Sequence, residues 1–334
     1  MASMMPAPLA AAAAIRWISL AALALVIGGL VLDVVILPAT APALVPARRR
    51  LRAWTGGAVV VLLAASAGEL VVRARTMSGG SLGVAIAAVP LVLGRTHFGL
   101  VWTARLAALV GLLILSFGRL RTLRLALACG IALTTTLTGH AADRGDFTLS
   151  ALVDWGHVLA ASAWVGGLLG LALVALVERP DWPAAPFAAV VRRFSTLAGL
   201  CLAVVVASGV YNAWWQLGAP SQLWTTFYGR VLAVKLLAVL ALVGLGAANR
   251  YALLPRLDRD GRLRPGVLRS AVARFTGPDV DPASVAPRLT TNVAREAALA
   301  IVVLACTAVL GESMPARQSQ APAHHVEGDR ADSR

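Results

Sequence analysis

Apolar residues run along this chain in long stretches, with polar residues gathered in short clusters between them. The stretches fall at Ile15 to Leu37, Trp54 to Val72, Phe98 to Phe117, Leu123 to Thr138, Ser150 to Val177, Phe194 to Trp215, Tyr228 to Ala248 and Ala294 to Leu310. Most approach or exceed the roughly 20 residues a helix needs to cross a bilayer. Ser81 to Leu93 is apolar but too short to span, and reads as an interfacial or re-entrant piece. The pattern predicts an all-α fold, a polytopic bundle of about eight spans, because only closed hydrogen-bonding structures survive in lipid.

The polar clusters give the bundle a direction. Arg48, Arg49, Arg50 and Arg52 follow the first span, Arg119, Arg121 and Arg124 the third, and Arg179, Arg192 and Arg193 the fifth. The longest connection, Arg250 to Arg295, carries many more. The alternate connections are poor in arginine: Ala141 to Thr148 has one, and Gln216 to Thr226 has no charge. Basic loops stay in the cytoplasm, so both termini are expected outside it. Within the long loop, Leu268, Val272 and Phe275 share a helical face near Arg269 and Arg274, as in a short helix lying on the inner leaflet.

Composition agrees with a membrane protein. The 334 residues are 58% hydrophobic and 14% charged, against about 25% charged in soluble domains. Mean hydropathy is +0.77. The net charge of +14 does not point to nucleic acid, because the arginines lie in loops between apolar runs. Cys129, Cys201 and Cys306 each sit inside an apolar run, with no CxxC pair and no disulfide framework. Met1 to Ala14 has no basic residue ahead of the first run, which makes a poor signal peptide, so that run is expected to stay as a helix.

An internal repeat organises the chain. Thr96-His97-Phe98-Gly99 is followed by Trp102 and Arg105, and Thr226-Phe227-Tyr228-Gly229 by Leu232 and Lys235, with the same spacing from threonine to basic residue. Trp17 aligns with Trp155 and Gly28-Gly29 with Gly166-Gly167, while Ser19 stands where the second copy has His157. The expected architecture is two halves of about four helices each, in parallel orientation about an axis along the membrane normal. The first half covers residues 1–141 and the second 142–316. Residues 251–293 form a cytoplasmic Arg- and Pro-rich loop, and 317–334 a disordered extracytoplasmic tail.

Under this topology the candidate ligands share one side. His97 opens the third span, His140 closes the fourth, and His157 lies about one turn inside the fifth. Met1, Met4, Met5, Met77 and Met314 fall at or beyond the same outer ends, and His324 and His325 lie in the tail. Imidazole with thioether suits copper, either Cu(I) or Cu(II). The cysteines are also soft ligands, although buried free cysteine ordinarily packs as a small hydrophobe. Packing or solvated histidines at helix ends remain the alternative. Arg105 and Lys235 sit at matched depth in the outer half of the membrane, with Glu69 and Asp154 as the nearest carboxylates. Ion pairs among these four are expected, since an unpaired buried charge is costly. The same carboxylates would otherwise help bind a cation while the bases balance charge. Asp33 lies nearer the cytoplasmic end of the first span, and most tryptophans fall at span ends, as an interfacial belt does.

Several of these segments resemble the CopD copper-resistance family. They are Trp155-Gly156-His157 through Gly166-Gly167, Phe194-Ser195, Ser208-Gly209-Val210-Tyr211-Asn212-Ala213-Trp214, Thr226-Phe227-Tyr228-Gly229-Arg230 with Lys235, Asn249-Arg250, and Arg295-Glu296. The resemblance is good over residues 150–250 and looser elsewhere. Gly311-Glu312-Ser313-Met314-Pro315 replaces the expected proline-rich ending. The resemblance implies a multi-pass inner-membrane protein of copper uptake or homeostasis, working beside a periplasmic CopC-type copper carrier. It carries over to His157 and the outer-face groups around it.

The leading expectation is a copper-handling membrane protein, not an enzyme, with a site at His157, His140, His97, Met77 and Met314, balanced by Glu69, Asp154, Arg105 and Lys235. Copper binding would weaken as pH falls through the histidine range near about 6.5. No GxxxxGK[ST] loop is present, so movement would be passive, ion-coupled or driven by the membrane potential. Two other classes stay open: a haem-binding redox protein using His140 and His157 on adjacent helices, and a non-transporting sensor or assembly scaffold.

Overall fold

The computed structural model describes residues 7–38, 41–116, 120–139, 148–178, 182–257 and 282–319. Its long helices are α1 (Ala7–Val31), α2 (Val45–Ser78), α3 (Leu82–Arg95), α4 (His97–Leu115), α5 (Arg121–Leu137), α6 (Leu149–Glu178) and α7 (Ala184–Gln216). The short α8 (Gln222–Thr225) precedes α9 (Phe227–Ala248), and α10 (Pro282–Glu312) is followed by the short α11 (Ala316–Ser319). Among the described residues there is no strand. Among the described residues seven helices are long and apolar enough to cross a membrane. The 17 residues of α5 fall just short of that length. The chain is an all-α, multi-pass membrane bundle.

α1 and α6 form the centre. Leu23, Val26 and Ile27 of α1 pack with Trp164, Val165 and Leu168 of α6, and with Leu62, Ile131 and Leu304 from the helices around them. The two helices cross at glycine: a Cβ on Gly28 would overlap the backbone of Gly166, and a Cβ on Gly166 the Ala24 carbonyl. Small residues allow this approach where lipid is as apolar as any side chain, so that close packing must hold helices together. α7 and α9 lie outside and present rows of exposed apolar side chains, among them Val206 and Val210, and Leu236, Leu237 and Leu240.

Several details depart from the sequence-based boundaries. α1 continues as a turn of π-helix, Leu32–Ile36, with buried Asp33 in it. Asp33 does more than close a span: Arg48 donates to its Oδ1 at 3.0 Å and Arg52 to its Oδ2 at 3.1 Å. α10 starts at Pro282, well before the expected Ala294, so the end of the presumed 251–293 loop is helical. α3 spans Leu82–Arg95 as a helix of 14 residues. Gly79 (φ 62°), in the left-handed region that favours glycine, ends α2 and turns the chain toward it. The proposed surface helix with Leu268, Arg269, Val272, Arg274 and Phe275 lies outside the described residues.

Two kinds of contact recur along the chain. Thr96 Oγ1 accepts from the Gly99 N–H at 2.9 Å and donates to the Val92 carbonyl at 2.6 Å. Thr226 Oγ1 accepts from the Gly229 N–H at 2.9 Å and donates to the Gln222 carbonyl at 2.7 Å. Each threonine thus caps the helix it begins and ties it to the helix before. Both glycines are required, because a Cβ at either would overlap the preceding helix's last turn. Likewise the Trp17 indole donates to the Ile301 carbonyl at 3.3 Å, and the Trp155 indole to the Cys129 carbonyl at 3.0 Å.

Candidate functional site

The ends of the helices fix which residues share a level. Arg16 near the start of α1 meets Glu312 at the end of α10 at 3.5 Å, so the first and last long helices begin and end on the same side. Glu69 of α2 meets Arg105 of α4 at 3.0 Å, which puts the end of α2 and the start of α4 there too. α3 therefore begins and ends on one side of the bundle. His97, His157, Met77 and Met314 all lie toward this end, opposite the arginine-rich one.

His157 sits on α6, about 12 Å from its first residue at 1.5 Å per residue, and is half-buried. Its Nδ1 lies 2.8 Å from Ser208 Oγ on α7. Ser208 has one hydroxyl proton, and that proton goes to the Val204 carbonyl. With that proton so placed, the hydroxyl oxygen can accept from an Nδ1–H, and in that tautomer Nε2 keeps its lone pair. Metal-binding imidazoles are commonly oriented by such a hydrogen bond to the other ring nitrogen. Gly209 leaves room beside it: a Cβ there would lie 3.6 Å from His157 Cε1. One turn toward the helix start, Asp154 accepts from Asn212 Nδ2 at 3.2 Å. Half-buried Lys235 on α9 is within electrostatic reach of Asp154, His157 and Cys306. It makes no direct ion pair among the described residues.

The first half has a different cluster at this level. Arg105, 5% exposed, donates from Nη1 to Glu69, from Nε to Thr134 at 2.9 Å, and from Nη2 to Thr138 at 3.1 Å. Every arm of the guanidinium is used. Arg16, Ser19, Glu69 and Arg105 line one small cavity of about 10 Å³. Of the four charged residues expected to balance one another, Arg105 and Glu69 pair as expected. Asp154 and Lys235 stay apart, the carboxylate taken by an amide.

The other expected ligands are not gathered around His157. His97 is exposed at the first position of α4. Met77 and Met314 are exposed on the ends of α2 and beyond α10. His140, His324 and His325 lie outside the described residues. Neither a His140–His157 metal pair nor a haem between them is therefore described. Among the described residues no three His, Cys, Asp or Glu side chains stand close enough to hold a metal ion. The cysteines are free, with Cys201 buried and Cys129 and Cys306 partly so.

Sequence reasoning missed Arg16, Glu312, Ser208 and Asn212 as site neighbours. Ser208 and Asn212 lay in the segment that resembled the family, but nothing in their spacing told which helix they face. Ser195, Asn249, Arg250 and Glu296 of that resemblance meet at the arginine-rich end. Arg250 donates to the Ser195 carbonyl at 2.7 Å. Asn249 Nδ2 donates to the buried Glu296 at 2.5 Å and its Oδ1 accepts from Asn292 at 2.8 Å. This amide–carboxylate knot ties α9 to α10 just where α9 passes into a π-turn, Asn249–Leu253.

Fold and site together define a polytopic membrane protein with a hydroxyl-bonded histidine near one mouth of the bundle. Comparison with known proteins is consistent with that class. Residues 188–310 match the family model described as copper resistance protein D, and residues 4–148 match the model of the copper resistance protein D-like N-terminal domain. The chain is 31% identical to the inner membrane protein YebZ of Escherichia coli over 255 residues, covering 74% of this chain and 86% of that one. It is 29% identical to copper resistance protein D of Pseudomonas syringae over 74% of this chain and 78% of the relative. It is 30% identical to the copper transport protein CutJ of Bacillus subtilis over 68% of this chain, but spans only 43% of that protein. No solved structure matches the chain. The chain belongs to the copper resistance protein D family.

Proposed function

We propose that this protein carries copper across the cytoplasmic (inner) membrane, acting as a carrier and not as an enzyme, with both termini extracytoplasmic. The observation that carries the reading is His157: Nδ1 lies against Ser208, whose own proton goes to the Val204 carbonyl, an arrangement that leaves Nε2 as the nitrogen for a ligand. In a family named for copper, that nitrogen is the natural first ligand for the cargo. A single prepared ligand without a closed cage suits a cargo that must also leave. His140 at the end of the neighbouring span supplies the second nitrogen in this reading, with His97, Met77 and Met314 as softer outer contacts that hand copper inward. Delivery by a periplasmic CopC-type carrier fits a site at that mouth.

The two halves of this proposal are related by an axis along the membrane normal. The matching threonine caps, the matching tryptophan bonds and the Gly28–Gly166 contact between equivalent positions support it. Copper uptake into proteoliposomes and equilibrium copper affinity test the function. His157→Ala is expected to lower both by far more than His325→Ala, whose tail position has no fixed geometry. Ser208→Ala should weaken affinity about 10-fold or more, as removing such a second-layer partner does. Copper affinity unchanged in the His140→Ala, His157→Ala double variant would sink the site.

A further inference from the structure

At the arginine-rich end a second feature stands apart from the histidine site. Asp33, Arg52, Thr55, Gly56, Ser116 and Arg124 line a cavity of about 20 Å³ between α1, α2, α4 and α5. Arg124 is 5% exposed. Its Nε is buried with no hydrogen-bond partner, and its guanidinium forms no ion pair among the described residues. Asp33, the only carboxylate among the described residues that line the cavity, is already held by Arg48 and Arg52. Arg48 and Arg52 thus share one carboxylate, and the more buried Arg124 beside them has no hydrogen-bond or ion-pair partner for its guanidinium among the described residues. A buried unpaired cation is costly enough that such groups take a counter-charge.

We infer that this cavity binds an oxyanion of phosphate type, with one oxygen seated against Arg124. The space admits about one oxygen atom and no more. The rest of the anion must lie at the mouth, and the mouth is open: a Cβ on Gly56 or Gly57 would meet nothing within 4 Å. Arg124 is in the first turn of α5, whose free N–H groups add positive potential at the same place. Such an anion is presented by the headgroup of an acidic phospholipid, since basic pockets between helices at an arginine-rich face recruit these lipids. Free phosphate offers the same oxygens. Once seated, the anion would neutralise Arg124 and pin α5 against α1 and α2.

The test measures the thermal unfolding midpoint of the full chain in neutral detergent. Phosphatidylglycerol, phosphatidylcholine or inorganic phosphate is titrated in. Phosphatidylglycerol should raise the midpoint and phosphatidylcholine should not. Arg124→Gln should need roughly fivefold more phosphatidylglycerol for the half-maximal shift, about what one basic group contributes at an anionic surface. Arg49→Gln removes the same charge from the same end, at an exposed position that does not line the cavity. It should keep the wild-type response. An Arg124-dependent shift with inorganic phosphate alone would also support the oxyanion site and assign it to free phosphate. Should Arg124→Gln fail to fold, Arg124→Lys keeps the charge and loses the planar fork. Native mass spectrometry should then find about one phosphatidylglycerol retained per wild-type chain, and less on that variant. No anion-dependent shift in the wild type, or equal losses in the Arg49 and Arg124 variants, would overturn the site.

Discussion

Gly166→Ala is the most informative single change in the fold. In an exposed or open part of a helix, alanine in place of glycine stabilises by about 0.5–1 kcal/mol, because it restricts the unfolded backbone. Gly57, Gly244 and Gly246 are such places, with nothing within 4 Å of an added Cβ. At Gly166 the same methyl would overlap the Ala24 carbonyl of α1, and backbone cannot rotate away as a side chain can. The helices must separate by roughly an ångström or more to admit it, and a gap of that size forfeits a quarter to a half of each contact's dispersion energy. The separation would loosen Val26, Ile27 and Leu168, all nearly inaccessible to solvent. Overpacking of this kind costs about 1–3 kcal/mol, which the propensity gain offsets only in part. We therefore expect Gly166→Ala to destabilise by about 1–2 kcal/mol and Gly57→Ala to stabilise slightly. Unfolding in mixed micelles with increasing denaturing detergent would measure both. Equal behaviour of the two variants, or a stable Gly166→Ala protein, would refute the α1–α6 crossing.

Glu69→Ala should cost about 3 kcal/mol, because it strands buried Arg105 with only threonine oxygens. The Glu69→Ala, Arg105→Ala double variant should cost less than the sum of the singles, as a double-mutant cycle would show. Thr96→Val and Thr226→Val each remove a helix cap with the same geometry, so each should lose about 1 kcal/mol by the same unfolding assay. Unequal losses would argue against the recurrence. A reporter fused after Ser319 should read as extracytoplasmic, and a cytoplasmic reading would reverse the orientation and move His157 to the inner mouth.

How much of this was legible in the sequence differs by kind of feature. The spans were legible because lipid imposes a length on every crossing helix, and the runs satisfied it. The Thr96 and Thr226 segments were legible as a repeat, and their meaning is a cap plus a glycine that admits the preceding helix. Depth along the spans grouped Arg105, Lys235, Glu69 and Asp154, but not which of them meet; the Glu69–Arg105 pair is read from the structure. Facing was harder. A helix surrounded by lipid on one side and apolar neighbours on the other carries no polar stripe to mark its inner face. Ser208 was therefore visible as a residue and invisible as the partner of His157. Arg16 was hidden in an apolar run, and its tie to Glu312 depends on the chain's two ends meeting. The early start of α10 was missed because its first turns carry Arg288, Thr290 and Thr291, which read as loop but extend the helix beyond the apolar run.

The arginine clamp in the first half bears on stoichiometry. Arg105 engages all three of its nitrogens, with Glu69, Thr134 and Thr138, and Ser19 stands where the second repeat has its imidazole. That pocket is electrically closed and offers a metal no nitrogen ligand. Under the proposed copper reading, the cargo site would then be confined to the His157 side of the bundle. Copper titrated against the purified protein should saturate at a single tight equivalent, and two tight equivalents would count against this asymmetry.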